Sequence, residues 1–389
     1  MSETATWTHH PALTSFSSDE TMFKEAVCTF ALAEIAPLVS EMDSKKEIEP
    51  ELIKKIFDMG LMSIEIPEEY GGTQSSFFNS ILLIEEISKV DPSVAILIDV
   101  QNTLVNNALL RWGSKEIHKR YLPKLSSEWI GAYALSESGS GSDAFGLKCQ
   151  AYQQGSDWII NGRKLWVTNA AEASLYIVFA NANPTMGYKG ITAFLVERDS
   201  PGLSVGKKEN KLGIRASSTS ELVLEDVKVP AERLLGSVGD GYKVAIEALN
   251  EGRIGIGAQM IGLAQGALDH TKSYIKEREQ FGQPISDFQG VQFQIAEAAT
   301  NLEASRLLVY NAARLKDQSK DFLVPAAMAK LHSSRMAQNV TSLCVDLYGG
   351  YGFASEYPVE KYYRDSKIGT IYEGTTNMQL QTIAKVLLK

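Results

Sequence analysis

The chain has 389 residues, 44% of them hydrophobic and 22% charged, which is enough for about two to three separate cores. Its 38 basic and 47 acidic side chains leave a net charge of -9, which argues against a nucleic-acid partner held on a broad basic face. No apolar run reaches the roughly 20 residues a bilayer span requires. Cys28, Cys149 and Cys344 show neither disulfide nor zinc spacing, which points to a reducing compartment.

In chain order, Met1 to Trp7 has no basic or apolar leader character and the first arginine is Arg111, so neither a secretory signal nor an Arg-rich transit peptide is expected as written. The terminal Leu387-Leu388-Lys389 is not a peroxisomal address. Ser17-Ser18-Asp19-Glu20 has capping-box form and opens a helix carrying Phe23, Val27, Phe30 and Ile35. Pro50 and Gly60 bracket a second helix with Leu52, Ile53, Ile56 and Phe57 on one face. Apolar periodicity over Phe77 to Ser88 and Val94 to Trp112 completes an all-α N-terminal domain, residues 1–128.

From Trp129 the texture changes to short segments rich in Trp, Ile, Val and Tyr. Trp158 to Val167 reads as a hairpin with Asn161-Gly162 at its tip, and further strands are expected at 175–180, 191–196 and 222–229. This is an antiparallel β-barrel or sandwich domain, residues 129–241. Helical periodicity returns at roughly 242–276, 288–316, 322–349 and 367–387, predicting an antiparallel four-helix bundle over 242–389. The fold class is therefore α+β, in the order helix, sheet, helix.

Several segments are chemically suggestive without being decisive. Tyr133 to Asp143 joins a strand to a run of hydroxyls and glycines, readable as a flexible linker or as an ordered loop that offers donors to a ligand. Gly139, Gly141 and Ala144 satisfy a dinucleotide fingerprint, but the following residues read as strand, so the match is taken as accidental. Trp166 is either a core residue or a cofactor platform. Arg278 is a solvated helix-end cation unless a ligand claims it. Gly252, and the run Gly349-Gly350-Tyr351-Gly352, weaken helices unless they make room for something. Glu373, between Tyr372 and Gly374, is either a turn glutamate or a desolvated base.

Taken together and in this order, Tyr133 to Asp143, Trp166-Val167-Thr168, Arg278 to Gly282, Gly349 to Gly352 and Ile371 to Gly374 resemble the acyl-CoA dehydrogenase family along essentially the whole chain. Asn183 to Thr192, Arg215 to Thr219 and Asn250 to Ile256 look most like its short/branched-chain branch, which acts on 2-methyl-branched short acyl-CoAs. The resemblance implies FAD between the sheet domain and the bundle. Tyr133, Ala134, Leu135, Ser136, Ser142, Trp166, Val167 and Thr168 would line the flavin, with Thr375, Thr376 and Asn377 nearby. Arg278, Gln289, Asp346, Leu347, Tyr348, Gly349 and Gly350 would reach the FAD of a neighbouring subunit in a homotetramer, a dimer of dimers. Ser142, Tyr188, Tyr242, Asn250, Glu251, Gly252, Arg253 and Gly374 match acyl-CoA contacts.

The same resemblance implies that Glu373 takes the α-proton while hydride leaves the β-carbon for flavin N5, giving a trans-2-enoyl-CoA. The backbone N–H of Glu373 and a flavin ribityl hydroxyl would bind the thioester oxygen. Electrons would pass to electron-transfer flavoprotein. Some members place the base at the position of Gly252; glycine cannot serve, and Glu251 lies about 100° away around a helix. An enoyl-CoA reductase running the reverse reaction, an oxidase and a non-catalytic flavoprotein subunit are the alternatives. The mitochondrial matrix is implied by resemblance for a eukaryotic source, the cytoplasm otherwise.

Overall fold

The computed structural model describes residues 12–389; the leader reading of Met1 to Trp7 lies outside them. Among the described residues, seven α-helices form the first part: α1 (Ser18–Phe30), α2 (Val39–Lys45), α3 (Pro50–Asp58), α4 (Phe77–Ser88), α5 (Pro92–Asp99), α6 (Asn107–Trp112) and α7 (Lys115–Ser127). The capping box forms, with Ser17 Oγ accepting from Glu20 N and Glu20 Oε2 from Ser17 N. Pro50 occupies the first turn of α3, whose Leu52, Ile56 and Phe57 are buried. The long periodic stretch after Pro92 is continuous but not uniform: a π-helical segment, Val100–Asn106, joins α5 to α6. Such wide turns concentrate at functional sites.

The middle part is a sheet in the order β6-β7-β3-β2-β4-β5-β8, with β1 beside β4. Its strands are β1 (Gly131–Ala134), β2 (Gln150–Gln154), β3 (Asp157–Thr168), β4 (Leu175–Asn181), β5 (Ile191–Glu197), β6 (Leu203–Lys208), β7 (Thr219–Pro230) and β8 (Leu234–Leu235). Pairing is antiparallel except where β1 runs parallel to β4, and β2 to β4 at one position. The expected hairpin within 158–167 does not form. Those residues make one long strand, and the turn lies earlier, at Gly155 with φ 64°, between β2 and β3. Asn161 and Gly162 instead serve an irregularity in the β3–β7 pairing. The Asn161 amide bonds Asp226, and a side chain at Gly162 would start 2.7 Å from Cys149 Sγ.

The last part is built on α8 (Gly241–Glu277), α9 (Gln289–Asp317) and α10 (Leu323–Tyr348). A two-stranded ribbon, β9 (Glu279–Gln280) with β10 (Gln283–Pro284), joins α8 to α9. The fourth leg is not the single helix expected over 367–387. It is α11 (Pro358–Ser366), a 3₁₀ turn (Lys367–Thr370), an irregular segment and α12 (Thr376–Leu387). Helix α8 crosses the core against α4, α5 and α10. Gly262 permits that approach, since a Cβ there would sit 2.1 Å from Glu85 O on α4.

Polar contacts lock the three parts together. Gln101 donates to Leu125 O and accepts from Gly131 N at 2.7 Å, fixing where helix turns into sheet. Buried Lys361 on α11 pairs with Asp365 at 2.7 Å and Asp91 at 3.3 Å, while Asp365 also accepts from Ile214 N in the sheet part. Paired in this way, the buried charges define one relative placement of the layers. No described helix is long and apolar enough to cross a membrane.

Candidate active site

Helix α8, the π-helical segment and the irregular segment before α12 converge on one carboxyl. Glu373 and Gly374 take consecutive left-handed conformations, φ 49° and 84°. A non-glycine residue held there carries backbone strain that the surroundings must overcome. As a whole Glu373 is half-buried, but its Oε2 is out of reach of solvent and has no hydrogen-bond partner. Opposite lies Gly252 of α8, where a Cβ would be 3.1 Å from Glu373 Oε2 and 2.8 Å from Leu104 Cδ2. The missing side chain leaves room for the carboxyl.

Burial raises the Glu373 pKa from 4.5 to about 7, against the pull of Lys330 and then Arg253. A carboxyl so tuned accepts a proton near neutrality without being permanently protonated. Lys330, on α10 and 1% exposed, donates to Gly374 O; burial brings it down to about 7 although the Glu373 charge holds it up. Arg253 donates to Asn250 Oδ1 at 2.8 Å and leaves its buried Nε unpartnered. The backbone N–H groups of Glu373 and Gly374 meet no acceptor among the described residues, so they are free to bind an oxygen placed at this turn.

A second carboxyl, Asp99, lies one turn along the same face of α8: a Cβ at Gly255 would meet its Oδ1 at 2.1 Å. Burial pushes Asp99 well up; the Thr103 hydroxyl, 2.8 Å from Oδ1, opposes this and the Glu373 charge reinforces it. Tyr372 closes the side toward α8 through its hydroxyl, which donates to Gln259 Oε1. Tyr133 approaches from the sheet, its hydroxyl pushed far up by burial and by Glu373.

The sheet supplies an open shelf next to this pocket. Trp166 has φ 61° at the second irregularity of the β3–β7 pairing, and its indole is 61% exposed. A bulge re-aims a side chain in this way. Leu165 N donates to Ser136 O, which ties the hydroxyl-rich loop to β3. Beneath that loop Glu137 and Lys164, both buried, pair at 2.7 Å, and Glu137 also accepts from Lys148 N and Cys149 N. Ser142 is exposed, Ala134 and Leu135 are buried, and Val167 is buried beside half-buried Thr168. Tyr242 of α8 packs edge-on to Tyr188 at 5.2 Å, with Phe145 at 6.4 Å from Tyr188.

The site residues expected from sequence thus fall into separate groups. Glu373, Gly374, Gly252 and Arg253 share the carboxyl pocket, while Tyr188 and Tyr242 form an aromatic rim. The side chain of Glu251, expected among the acyl-CoA contacts, is engaged elsewhere. It is fully buried with its carboxylate on Arg111, Lys316 and Asn107, so its side chain is committed to joining α6, α8 and α9. Arg278, over the Tyr351 ring at 5.5 Å, clusters with the Gly349–Phe353 turn, and no hydrogen bond or ring contact among the described residues ties that cluster to Glu373. Tyr348 is buried and stacked on Tyr274 at 3.9 Å, leaving only its backbone for a ligand. Gln289, Asp346, Gly349 and Gly350 are exposed, and Leu347 is half-buried.

Sequence reasoning missed Lys330, Asp99, Thr103, Phe145 and the Lys164–Glu137 pair. Lys330 alone carried a signal, a lysine in the alanine-rich stretch Ala326 to Ala329 whose neighbours are core.

A carboxyl of raised pKa, backbone N–H groups without acceptors and an open shelf thus lie side by side. Three family models match the chain: acyl-CoA dehydrogenase, N-terminal domain over residues 17–128, middle domain over 132–227 and C-terminal domain over 239–388. The chain belongs to the acyl-CoA dehydrogenase family, and is an FAD-dependent oxidoreductase. It is 54% identical to the mitochondrial short/branched chain specific acyl-CoA dehydrogenase of Rattus norvegicus, over 96% of this chain and 86% of that protein. It is 53% identical to a probable short/branched chain specific acyl-CoA dehydrogenase of Dictyostelium discoideum, over 97% and 92%. A solved chain from work on the electron transferring flavoprotein of Acidaminococcus fermentans superposes with a TM-score of 0.95 at 41% identity, covering 97% of this chain and 99% of that one.

Proposed function

We propose that the protein carries out α,β-dehydrogenation of short, 2-methyl-branched acyl-CoA thioesters to trans-2-enoyl-CoA, with Glu373 as the α-proton base. The observation that carries the reading is the Glu373 carboxyl itself: Oε2 desolvated and unpartnered, proton affinity raised to about 7, and the facing helix position left empty by Gly252. The branched-chain assignment draws on the names of the rat and Dictyostelium relatives.

The residues fit FAD. Trp166 offers an exposed ring edge, Ser136, Ser142 and Thr168 offer hydroxyls, and no atom lies within 4 Å of where side chains would begin at Gly139 and Gly141, which leaves the loop open to a large ligand. Tyr133 to Ser136, Ser142, Trp166 to Thr168 and Thr375 to Asn377 would hold the cofactor. Arg278, Gln289 and Asp346 to Gly350 would hold that of a neighbouring subunit. When bound, FAD accepts the two electrons that leave the β-carbon.

The protein's own part is deprotonation and charge stabilisation. A thioester α-hydrogen is too weakly acidic for a carboxylate acting alone, so the developing enolate oxygen must be bound as the proton departs. The free N–H of Glu373 is one donor for that oxygen. Glu373 then holds the proton at Oε2. Tyr188 and Tyr242 would flank the CoA portion, and Gly374, lacking a side chain, lets the thioester approach.

Electron-transfer flavoprotein is the proposed acceptor, in keeping with the subject of the Acidaminococcus study. A homotetramer would cover the apolar side chains that the C-terminal part exposes, Phe281 at 95% and Phe353 at 90% among them. The proposed compartment is the mitochondrial matrix for a eukaryotic source. Anaerobic titration with 2-methylbutyryl-, isobutyryl-, butyryl- and isovaleryl-CoA, following flavin bleaching, tests the whole reading. Strongest bleaching by 2-methylbutyryl-CoA is expected, with none in Glu373→Gln; preference for isovaleryl-CoA would overturn the substrate assignment.

A further inference from the structure

Helix α10 carries a polar stripe at positions 330, 334, 338 and 341, which share one face of a helix. Each member holds the segment that leads to the base. Thr341 Oγ1 donates to Ser366 Oγ at 3.1 Å, Gln338 Nε2 to Thr370 Oγ1 at 3.0 Å, Ser334 Oγ to Gly369 O at 2.9 Å, and Lys330 Nζ to Gly374 O. Gln379 completes the clamp from α12, its Nε2 donating to Glu373 O at 3.1 Å and to Gly374 O at 2.8 Å.

Lys330 differs from the rest of the stripe. It is a primary amine almost without exposure, and Gly374 O is its one hydrogen-bond acceptor among the described residues. An unpaired ammonium so deep in a protein is disfavoured unless an anion compensates it. The anion acting on it is Glu373, which precedes the carbonyl it holds. An uncharged donor would satisfy Gly374 O equally well, so the hydrogen bond alone does not account for a lysine.

We propose that Lys330 is a positioning residue for the α-proton base: it fixes the left-handed Glu373-Gly374 turn through Gly374 O and, when protonated, brings a positive charge near the Glu373 carboxylate. This rests on the reading of Glu373 as the base. The other groups facing Glu373 are Arg253 on α8, Asp99 at the end of α5, Tyr133 on β1 and the adjacent Tyr372. Of these only Arg253 shares the positive charge, so removing Lys330 leaves one cation to support the ionised base. Burial draws Lys330 down and Glu373 up, and each charge opposes the shift of the other, so ionisation of one favours ionisation of its partner.

The sign of the effect follows. The Lys330 charge favours ionised Glu373, so its loss raises the proton affinity of the base, and the acid limb of the kcat/KM profile moves to higher pH. The test compares Lys330→Met, Lys330→Gln and Lys330→Arg in the FAD-loaded enzyme, with 2-methylbutyryl-CoA and an artificial electron acceptor. Lys330→Gln retains an N–H donor on a side chain one bond shorter and removes the charge, so it decides the matter even where Lys330→Met fails to fold. A shift of about 1 pH unit is expected for the neutral variants, a loss of about tenfold near neutrality that recovers in alkaline solution. Lys330→Arg should keep the wild-type limb. A loss in Lys330→Gln that is equal at every pH, or an unmoved limb, overturns the proposal. Glu373→Gln separates the two claims: full activity there sinks the base assignment itself, whereas an inactive Glu373→Gln with an unmoved Lys330→Gln profile sinks only the role of Lys330.

Discussion

Replacing Glu373 by Gln should do more than stop turnover: it should change how stability depends on pH. In the folded protein Glu373 titrates at about 7 against a usual 4.5, so between those values the folded state keeps a proton that the unfolded chain has released. A carboxyl raised in this way costs stability as pH climbs through that window, and the cost is complete above the folded value. At about 1.36 kcal/mol per decade, the interval amounts to an upper bound of about 3 kcal/mol. Lys330 has the opposite slope. Lowered to about 7 from 10.5, it is charged in the folded state below about pH 7 and neutral above it, where the unfolded chain is still charged, so its part of the stability rises above neutrality. Together the pair should give a stability minimum near pH 7. The assay is urea denaturation of wild type and Glu373→Gln across pH 5 to 9. The Gln variant should lose the falling limb between pH 5 and 7 and gain up to about 3 kcal/mol relative to wild type over that span. Parallel pH profiles for the two proteins would refute the raised pKa and, with it, the argument that the site makes Glu373 basic.

Other consequences are open to direct measurement. Gly252→Ala puts a methyl group 3.1 Å from Glu373 Oε2 and 2.8 Å from Leu104 Cδ2, and should lower kcat by about tenfold or more, with an overpacking cost of about 1–3 kcal/mol in denaturation. Lys164→Met leaves Glu137 buried without its cation, and should cost about 3–5 kcal/mol and weaken FAD binding, read by fluorescence on cofactor titration. The double change Lys164→Met with Glu137→Leu should recover much of that stability while FAD binding stays weak, because removing Glu137 also unties the loop from Lys148 N and Cys149 N. Phe281→Ser with Phe353→Ser should reduce the mass measured by light scattering if those rings lie in a subunit interface.

Local signals in the sequence survived folding where local chemistry decides the structure. The Ser17 capping box, Pro50 at a helix start and the strands at 175, 191 and 222 formed as their residues dictate. Asn161-Gly162 misled because the turn signal was outweighed by tertiary packing: Gly162 is needed for the close approach of Cys149, and Asn161 for a bond to Asp226. The fourth bundle helix misled for a related reason. Its apolar residues keep helical spacing, but Gly369 lies where a Cβ would meet Met260 Sδ at 2.4 Å, and Gly374 is left-handed, so the chain must leave the helix. Within the site, Glu373 and Gly252 were singled out through the ordered set of family motifs, because a carboxylate next to glycine reads equally well as a turn and a glycine in a helix equally well as a weak point. Lys330 and Asp99 were not, since each matters only through a residue dozens of positions away.

The break in the fourth leg is also what would make the proposed base usable. On a regular helix, the N–H of Glu373 would be spent on the carbonyl four residues back, and its side chain would be fixed by helical geometry. The left-handed turn frees that N–H and presents the carboxyl toward Gly252, at the expense of backbone strain and of burying an unpartnered oxygen. Neither cost is met locally. The polar stripe of α10 and Gln379 of α12 hold the carbonyls around the turn, and Lys330 and Arg253 offset the charge. Weakening these distant supports one at a time, as in Ser334→Ala or Gln379→Leu, should therefore lower kcat more than it raises KM, because the thioester still finds its groove while the base loses its aim. An equal loss through KM alone would mean that the clamp shapes the acyl pocket and leaves the base unaffected.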